Sequence, residues 1–357
     1  MSGEAAGLLV ELVRTPSPSG DEAAAAALLG GWASARGLET SVDDAAVRLV
    51  VGEGAGGPTL LFASHLDTVP PGDGWSVDPW AGMVENGCLT GRGAVDAKAS
   101  VAAMAAAAAA LAAAGGPAAG RLVVLATYAE ETRDTTMPLA LERLGAAPDA
   151  AVVGEPTSLE PCIAQRGQLL LRLVWRGEQL HAGWAAERTP PPANAIRLAA
   201  RDLDALGELR FERRHPALGE VVVTPTLLEA GVARNVTPPR CEAVLDIRTT
   251  PEYSHAEVAA AVAGRVAAEL EVISDRLVPA ATPDGSKLLE ALLRIRPGAR
   301  PFASPTCSDW VFLRHVDALK LGPGDSRRSH TADESIELAE VERAAQLYFE
   351  LAREVLQ

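Results

Sequence analysis

Cysteine is scarce in this chain of 357 residues: there are four, at positions 88, 162, 241 and 307, and no two stand at Cys-x-x-Cys spacing. That spacing argues against both a disulfide framework and a thiolate metal site, so Cys88, Cys162, Cys241 and Cys307 are expected as buried free thiols. Lysine is rarer still, three of 32 basic residues, and 47 acidic residues leave a formal net charge of −15. Nucleic acid and anionic membranes both demand a basic face, so neither is expected as a partner. No apolar run is long enough to span a bilayer. The longest, residues 101–114, lies between Lys98 and a Gly115-Gly116-Pro117 stop and reads as a buried helix. A basic-then-apolar leader is also missing, because Glu4 and Glu11 interrupt the first turns, and a cytoplasmic location is expected. There is no internal repeat and no low-complexity linker. The alanine-rich helices read as compositional bias rather than a physical requirement.

The length exceeds that of a usual single core and predicts two domains, or one domain with a large insertion. Helix signals open the chain at residues 7–13. Ser19-x-x-Glu22 then has the form of a capping box starting a helix that reaches about residue 35. Apolar, extended runs at 47–51, 59–63, 121–127 and 150–153 alternate with helices, the pattern of buried parallel strands in a three-layer α/β/α domain. Three of these runs lead into acids or histidine: His65 and Asp67, Glu130-Glu131, and Glu155. Carboxyl ends of strands are where open α/β sheets place their chemistry.

From Gln165 the texture changes to longer alternating strands at 169–175, 220–227 and 240–248, with helices at 193–206 and 255–270 and a last strand near Val272. This β-α-β-β-α order predicts a ferredoxin-like α+β insertion. The first pattern resumes after residue 279, where a strand at 318–321 runs into Gly322-Pro323-Gly324-Asp325. The expected division is therefore 1–164 and 280–357 for one domain and 165–279 for the other.

Five short stretches carry the chemistry: His65-Leu66-Asp67, Gly91-Arg92-Gly93-Ala94-Val95-Asp96, Glu130-Glu131, Gly154-Glu155-Pro156-Thr157 and His330-Thr331. Each has a plain structural reading as well. His65-x-Asp67 could be a satisfied core pair, Asp96 an ordinary acid at a helix start, Glu130-Glu131 a surface pair, Glu155 a solvated loop acid and His330 a solvated loop histidine. Together they spell what a pair of zinc ions needs: imidazoles and carboxylates, one carboxylate shared, and one left free to take a proton. Asp67 would hold the ring nitrogen of His65 that faces away from the ion. Two adjacent glutamates in a partly buried cleft would repel each other without a cation.

In order and separation these stretches resemble the co-catalytic zinc family of aminoacylases, acetylornithine deacetylase, succinyl-diaminopimelate desuccinylase and related exopeptidases, over essentially the whole chain. The resemblance implies a zinc-exopeptidase-like three-layer catalytic domain carrying an inserted ferredoxin-like lid and dimerisation domain. It also implies two Zn2+ per subunit, with Co2+ as a substitute, and with His65, Asp96 and Glu155 on one ion and Asp96, Glu131 and His330 on the other. Glu130 would be the general base for amide hydrolysis. Arg176-Gly177-Glu178-Gln179-Leu180-His181-Ala182-Gly183 resembles the family's lid segment, whose histidine, here His181, reaches the neighbouring subunit's site in a homodimer. Arg166, Asn235, Arg248 and Gly324 correspond to positions around the substrate. Arg248 is equally suited to a structural ion pair. His215, His255 and His315 are expected to be structural, and Cys307, Ser308 and Asp309 receive no chemical role.

Gly322-Pro323-Gly324-Asp325 and His330-Thr331-Ala332-Asp333-Glu334 look closest to the branch that releases lysine or ornithine from the terminal glutamate of an acidic amino-group carrier protein in lysine and arginine biosynthesis. An acidic carrier would need a local basic patch, for which Arg210, Arg213 and Arg214 are available. Acetylornithine or acetylcitrulline deacetylation is the alternative, followed by a metallo-dipeptidase or carboxypeptidase.

Overall fold

The computed structural model describes residues 3–53, 56–132 and 134–357. They form two compact units, one of Met1–Ile163, Ala281–Phe302 and Ser308–Gln357, the other of Ala164–Ala280 with Ala303–Cys307.

The first unit is built on a mixed sheet. Strands β1 (Glu39–Val42) and β2 (Ala46–Val51) form an antiparallel hairpin, and β2 runs antiparallel to Arg121–Thr127. Beyond them come four mutually parallel neighbours in the order Arg121–Thr127, β3 (Thr59–His65), Ala150–Val153 and Asp317–Lys320. These four are almost wholly buried, as strands covered on both faces must be, and they read as continuous apolar runs for that reason. Helices α1 (Glu4–Val13), α2 (Ala23–Ser34) and α3 (Lys98–Ala113) join the C-terminal helix Leu338–Val355 in one layer. Leu60 and Phe62 of β3 point into this layer, where the Phe62 ring stands 5.2 Å from that of Tyr348.

Alanine is here a steric requirement, contrary to the compositional reading of the sequence. Helix α3 is packed between the sheet, α1 and the C-terminal helix, and every residue from Lys98 to Ala109 is buried. A helix covered on all sides by close neighbours favours small side chains at most positions, with Val101, Met104 and Leu111 as the larger apolar exceptions.

Two local expectations are overturned. Ser19 and Glu22 form no capping box: the N-cap of α2 is Glu22, without a side-chain bond to the helix. Both side chains are drawn elsewhere, to the site described below. The helix expected over 255–270 stops at Ala263, before Gly264, and Leu270 belongs to the following strand.

The second unit is a four-stranded antiparallel sheet in the order Val222–Ala230, Arg240–Thr249, Gly167–Arg176, Glu269–Leu277. With helices Ala195–Gly207 and His255–Ala263 between strands, this is the ferredoxin-like order. Its core centres on Leu171, Leu173, Trp175, Leu245 and Val258. The buried Trp175 indole donates to Asp202 at 2.8 Å. His255 is held between Thr249 Oγ1 and the Asp275 carbonyl, and His215 accepts from Ala217 N and Leu218 N, so both are structural. None of the four cysteines is in a disulfide; Cys162 and Cys241 are buried, Cys88 and Cys307 only partly. Among the described residues no helix is long and apolar enough to cross a membrane.

The packing of α3 can be tested directly. Ala106→Leu, which adds an isopropyl group where no space exists, is expected to cost about 1–3 kcal/mol. Urea unfolding would show this as a lower midpoint with an unchanged slope.

Candidate metal centre

Parallel neighbours put their carboxyl ends on one edge of the sheet, and the chemistry-bearing residues lie there. His65 is the last residue of β3. Leu66 N donates to Thr127 O at 2.9 Å, which brings the Asp67 turn beside the turn carrying Glu130 and Glu131. Gly154 N donates to Ala63 O at 2.7 Å and sets Glu155 next to the end of β3. Gly322 follows Asp317–Lys320 and leads to His330. A Cβ at Gly322 would fall 2.4 Å from the Glu155 carbonyl oxygen, so only glycine lets this turn approach the Glu155 backbone.

Asp96 sits at the centre. Its Oδ1 is 3.3 Å from His65 Nε2, and its Oδ2 is 3.5 Å from Nε2 of His330. His330 Nε2 also lies 2.8 Å from Glu131 Oε1. Ligand atoms of His65, Asp96 and Glu155 fall within 4.8 Å of one another, and so do those of Asp96, Glu131 and His330. A third grouping of the same kind joins His65 with Glu130 and Glu131. Two triads of imidazole and carboxylate donors that share one carboxylate are a donor set suited to a pair of borderline divalent cations.

Of the residues that hold this arrangement, only Asp67 was expected from sequence to do so. Asp67, fully buried, has its Oδ1 3.2 Å from His65 Nδ1 and accepts from Glu130 N at 3.0 Å and Glu131 N at 3.1 Å. One carboxylate thus aligns an imidazole and the backbone of both glutamates. Ser19 Oγ donates to Asp67 Oδ2 at 2.6 Å, and Glu22 Oε1 accepts from Ala129 N at 3.1 Å, which is where the expected capping box has gone. Ala129 itself has a φ of 54°, a left-handed turn unfavourable to a residue with a Cβ and secured here by the Glu22 bond. On the other side of Asp96, buried Glu334 accepts from Val95 N at 2.7 Å and Asp96 N at 3.0 Å and pairs with buried Arg92 at 2.5 Å. Serine, glutamate and arginine at such positions look like ordinary surface residues in a sequence, and only the fold reveals them.

The electrostatics follow from the crowding. Burial raises Glu155 to about 8, with the Asp96 charge adding to it. Burial likewise holds Glu130 well above the usual carboxylate range; His65 pulls it down, while the charges of Asp309, Glu155 and Glu131 push it further up. For His65 burial works downward, but the bonds to Asp67 and Asp96 prevail and raise it well above an ordinary imidazole. The Glu131 bond raises His330. For Asp67, burial works upward, yet the bonds from His65 and Ser19 and from the Glu131 amide bring it down to about 2. The stripped cluster therefore gathers protons to relieve its negative charge, and bound cations would relieve it in their place.

Gly324, with a φ of 90°, is buried beside Val95 and donates to Glu340 Oε1 at 2.9 Å. Asp309 accepts from Thr135 Oγ1 through both oxygens, so the Asp309 turn, given no role from sequence, borders the Glu130 turn. The remaining positions belong to the second unit. Arg166 donates to the carbonyls of Glu220, Arg248 and Leu218, and Arg248 forms a two-point pair with Asp246 at 2.7 and 3.0 Å. Asn235 is exposed, its carbonyl accepting from Ala182 N. His181 is exposed and caps a short helix, its Nδ1 accepting from Gly183 N at 3.1 Å.

A shared-carboxylate pair of triads at the carboxyl edge of an α/β sheet defines a class, the dinuclear metal hydrolases. Residues 61–354 match the family described as Peptidase family M20/M25/M40, and the chain belongs to it. It is thus a hydrolase of a family whose members act on amide bonds. It is 33% identical to the succinyl-diaminopimelate desuccinylase of Methylobacterium sp. (strain 4-46), with 94% of this chain and 92% of the relative covered. It is 31% identical to a Pyrobaculum aerophilum protein named as a LysW-lysine/LysW-ornithine hydrolase, over 95% and 94%. The fold matches the Bacillus subtilis YXEP protein, described as a dinuclear metal-binding peptidase of the M20 family. The TM-score is 0.76 at 18% identity, over 99% of this chain and 97% of that one.

The raised groups fix the pH response of the chelator-stripped protein. Glu155 and Glu130 ionise at higher pH folded than unfolded, and His65 and His330 hold their protons longer when folded. Between pH 5 and 8 the folded chain therefore binds more protons than the unfolded one, and stability falls as pH rises. Asp67 and Asp96, lowered, are ionised in both states across this window and do not oppose it; Lys98, which burial brings down to about 7, and His215 and His255, lowered likewise, act the other way but are outnumbered by the raised groups. Thermal melts of stripped protein should give a lower midpoint at pH 8 than at pH 5, and restoring the metal should narrow the gap; a higher midpoint at pH 8 would contradict the charge assignment.

Proposed function

We propose that this protein hydrolyses the amide bond between a small acyl group and an amino acid, using two zinc ions. His65, Asp96 and Glu155 would hold one ion, and Asp96, Glu131 and His330 the other. The observation that carries the reading is that the two oxygens of Asp96 face two different histidines, each of which belongs to its own triad. When bound, the ions would supply Lewis-acid polarisation of the scissile carbonyl and a lowered pKa for water.

Glu130 is the general base. It belongs to neither of the two triads that share Asp96, its carboxylate stands with His65 and Glu131 in the third grouping, and Asp67 fixes its backbone. A carboxylate whose proton affinity is raised by burial and neighbouring charge can take a proton from water and return it to the departing amine. Asp67 orients His65 and keeps Nε2 directed at the centre. His181, whose Nδ1 accepts a backbone N–H and so leaves the proton of the neutral ring on Nε2, is suited to donate to an oxyanion in a partner subunit. The homodimer this requires has a ready surface in the edge strand Val222–Ala230, exposed along nearly its whole length with Leu227 and Leu228 about three-fifths accessible. Arg166, Asn235 and Arg248 in that unit, and Gly324 beside Val95, remain the positions proposed to face the substrate.

The substrate reading favours a free acylated amino acid, the class the desuccinylase relative's name describes. The second reading, release of lysine or ornithine from a carrier protein, is supported by the name of the Pyrobaculum relative. The basic patch this reading calls on is largely neutralised: Arg213 pairs with Glu257 and Arg214 with Glu220.

Two measurements test the proposal. Glu130→Ala should retain two equivalents of zinc while kcat falls about 10²- to 10⁴-fold, whereas Asp96→Ala should lose metal as well as turnover; near-normal kcat in Glu130→Ala would remove it as the base. A parallel assay on succinyl-diaminopimelate, acetylornithine, acetylcitrulline, dipeptides and a lysine-loaded carrier protein separates the substrate readings. Turnover of the loaded carrier far above every free acyl amino acid would reverse the preference stated here.

A further inference from the structure

Glu334 lies four residues beyond His330, and its carboxylate touches the loop that carries Asp96. It is 1% exposed. Oε1 accepts from both Val95 N at 2.7 Å and Asp96 N at 3.0 Å, and Oε2 pairs with Arg92 Nη1 at 2.5 Å. The Glu334 carbonyl accepts from Gly91 N at 2.9 Å, so main chain and side chain both grip the 91–96 loop. Arg92, equally buried, is fixed by a bond to the Pro71 carbonyl at 3.1 Å and lies 5.2 Å from the Trp75 ring. One residue earlier, Asp333 accepts from Ser76 N and Oγ, anchoring the same segment from outside.

We infer that Glu334 is a positioning residue that sets the spacing between Asp96 and His330, and through it the affinity of one of the two cation positions more than the other. The inference rests on the two-cation reading above. Its selectivity follows from where the ligands are mounted. His65 ends a buried strand, and Glu155 stands two residues beyond another, next to Gly154, whose N–H is bonded to the Ala63 carbonyl of the sheet. If the grip of Glu334 loosens, these two stay in place and only Asp96 shifts. In the triad of Asp96, Glu131 and His330, by contrast, two of three ligands sit on the segments that Glu334 ties together, and His330 is exposed and has a φ of 64° in its loop.

The test is zinc titration of the chelator-stripped full chain by calorimetry, with His330→Ala as the reference that identifies which binding step belongs to the His330 position. Glu334→Asp keeps the charge facing Arg92 but withdraws the carboxylate by about 1.5 Å. In this variant the step lost in His330→Ala should weaken about 10- to 100-fold, the usual cost of losing an outer support, while the other step, which shares only Asp96 with it, weakens far less. Glu334→Gln keeps the reach and an acceptor oxygen for Val95 N and Asp96 N, and should restore that step even though Arg92, left without its anion, lowers the melting temperature. A purely structural role would lower melting temperature in both variants and leave the ratio of the two affinities alone, which overturns the inference, as would equal weakening of both steps. Fewer than two zinc equivalents on the unaltered chain would bring down the two-cation reading itself, and this inference with it.

Discussion

Negative charge crowds the carboxyl edge of the sheet. Asp96, the adjacent pair Glu130 and Glu131, and Glu155 come from three different loops and meet within a few ångströms, where burial denies them the solvent that would screen their repulsion. No packing of apolar residues could hold such an arrangement alone. The fold answers locally with a further ring of bonds: Asp67 on the amides of Glu130 and Glu131, Glu334 on the amides of Val95 and Asp96, and Ser19 and Glu22 reaching in from the N-terminal segment. All of these supports except Ser19 are acids too, which deepens the need for positive charge at the centre. Arg92 supplies some of it from behind Glu334. The rest must come from protons or from cations.

What the sequence made legible follows from physical range. The strands Arg121–Thr127 and Ala150–Val153 could be read to the residue because a fully buried parallel strand is an unbroken apolar run with polar ends. His65, Asp96, Glu131, Glu155 and His330, which the fold brings close together, were legible as a set through the resemblance of their five stretches, in order and separation, to a known family rather than through any one motif. Signals with two possible outlets were not readable. Ser19 and Glu22 have the spacing of a capping box, and a helix N-terminus would have accepted them, but a buried carboxylate and a left-handed turn made the stronger claim. The overrun of the helix starting at His255 has a similar source: Ala267, Ala268 and Leu270 suit a helix locally, and pairing with Gly167–Arg176 across the sheet decides otherwise. Glu334 was hidden because nothing in a sequence separates a buried glutamate paired with a buried arginine from two solvated charges.

The two units divide the work differently along the chain. The first carries every residue of the two triads that share Asp96. The second is a self-contained sheet with its own core, and its arginines are largely spoken for, Arg166 by carbonyls and Arg213, Arg214 and Arg248 by acids. A surface whose positive charges are already matched offers little long-range attraction to an acidic macromolecule, and small acylated amino acids need none.

Helix α3 begins two residues after Asp96 and consists largely of alanine, a side chain without rotamers. Ordering most of its length therefore costs backbone entropy only, and once formed it holds few alternative side-chain states into which the layer could relax. The stretch of chain on which the shared carboxylate is mounted is thus among the poorest in internal freedom, a stiff footing beneath a centre whose charges would otherwise spring apart.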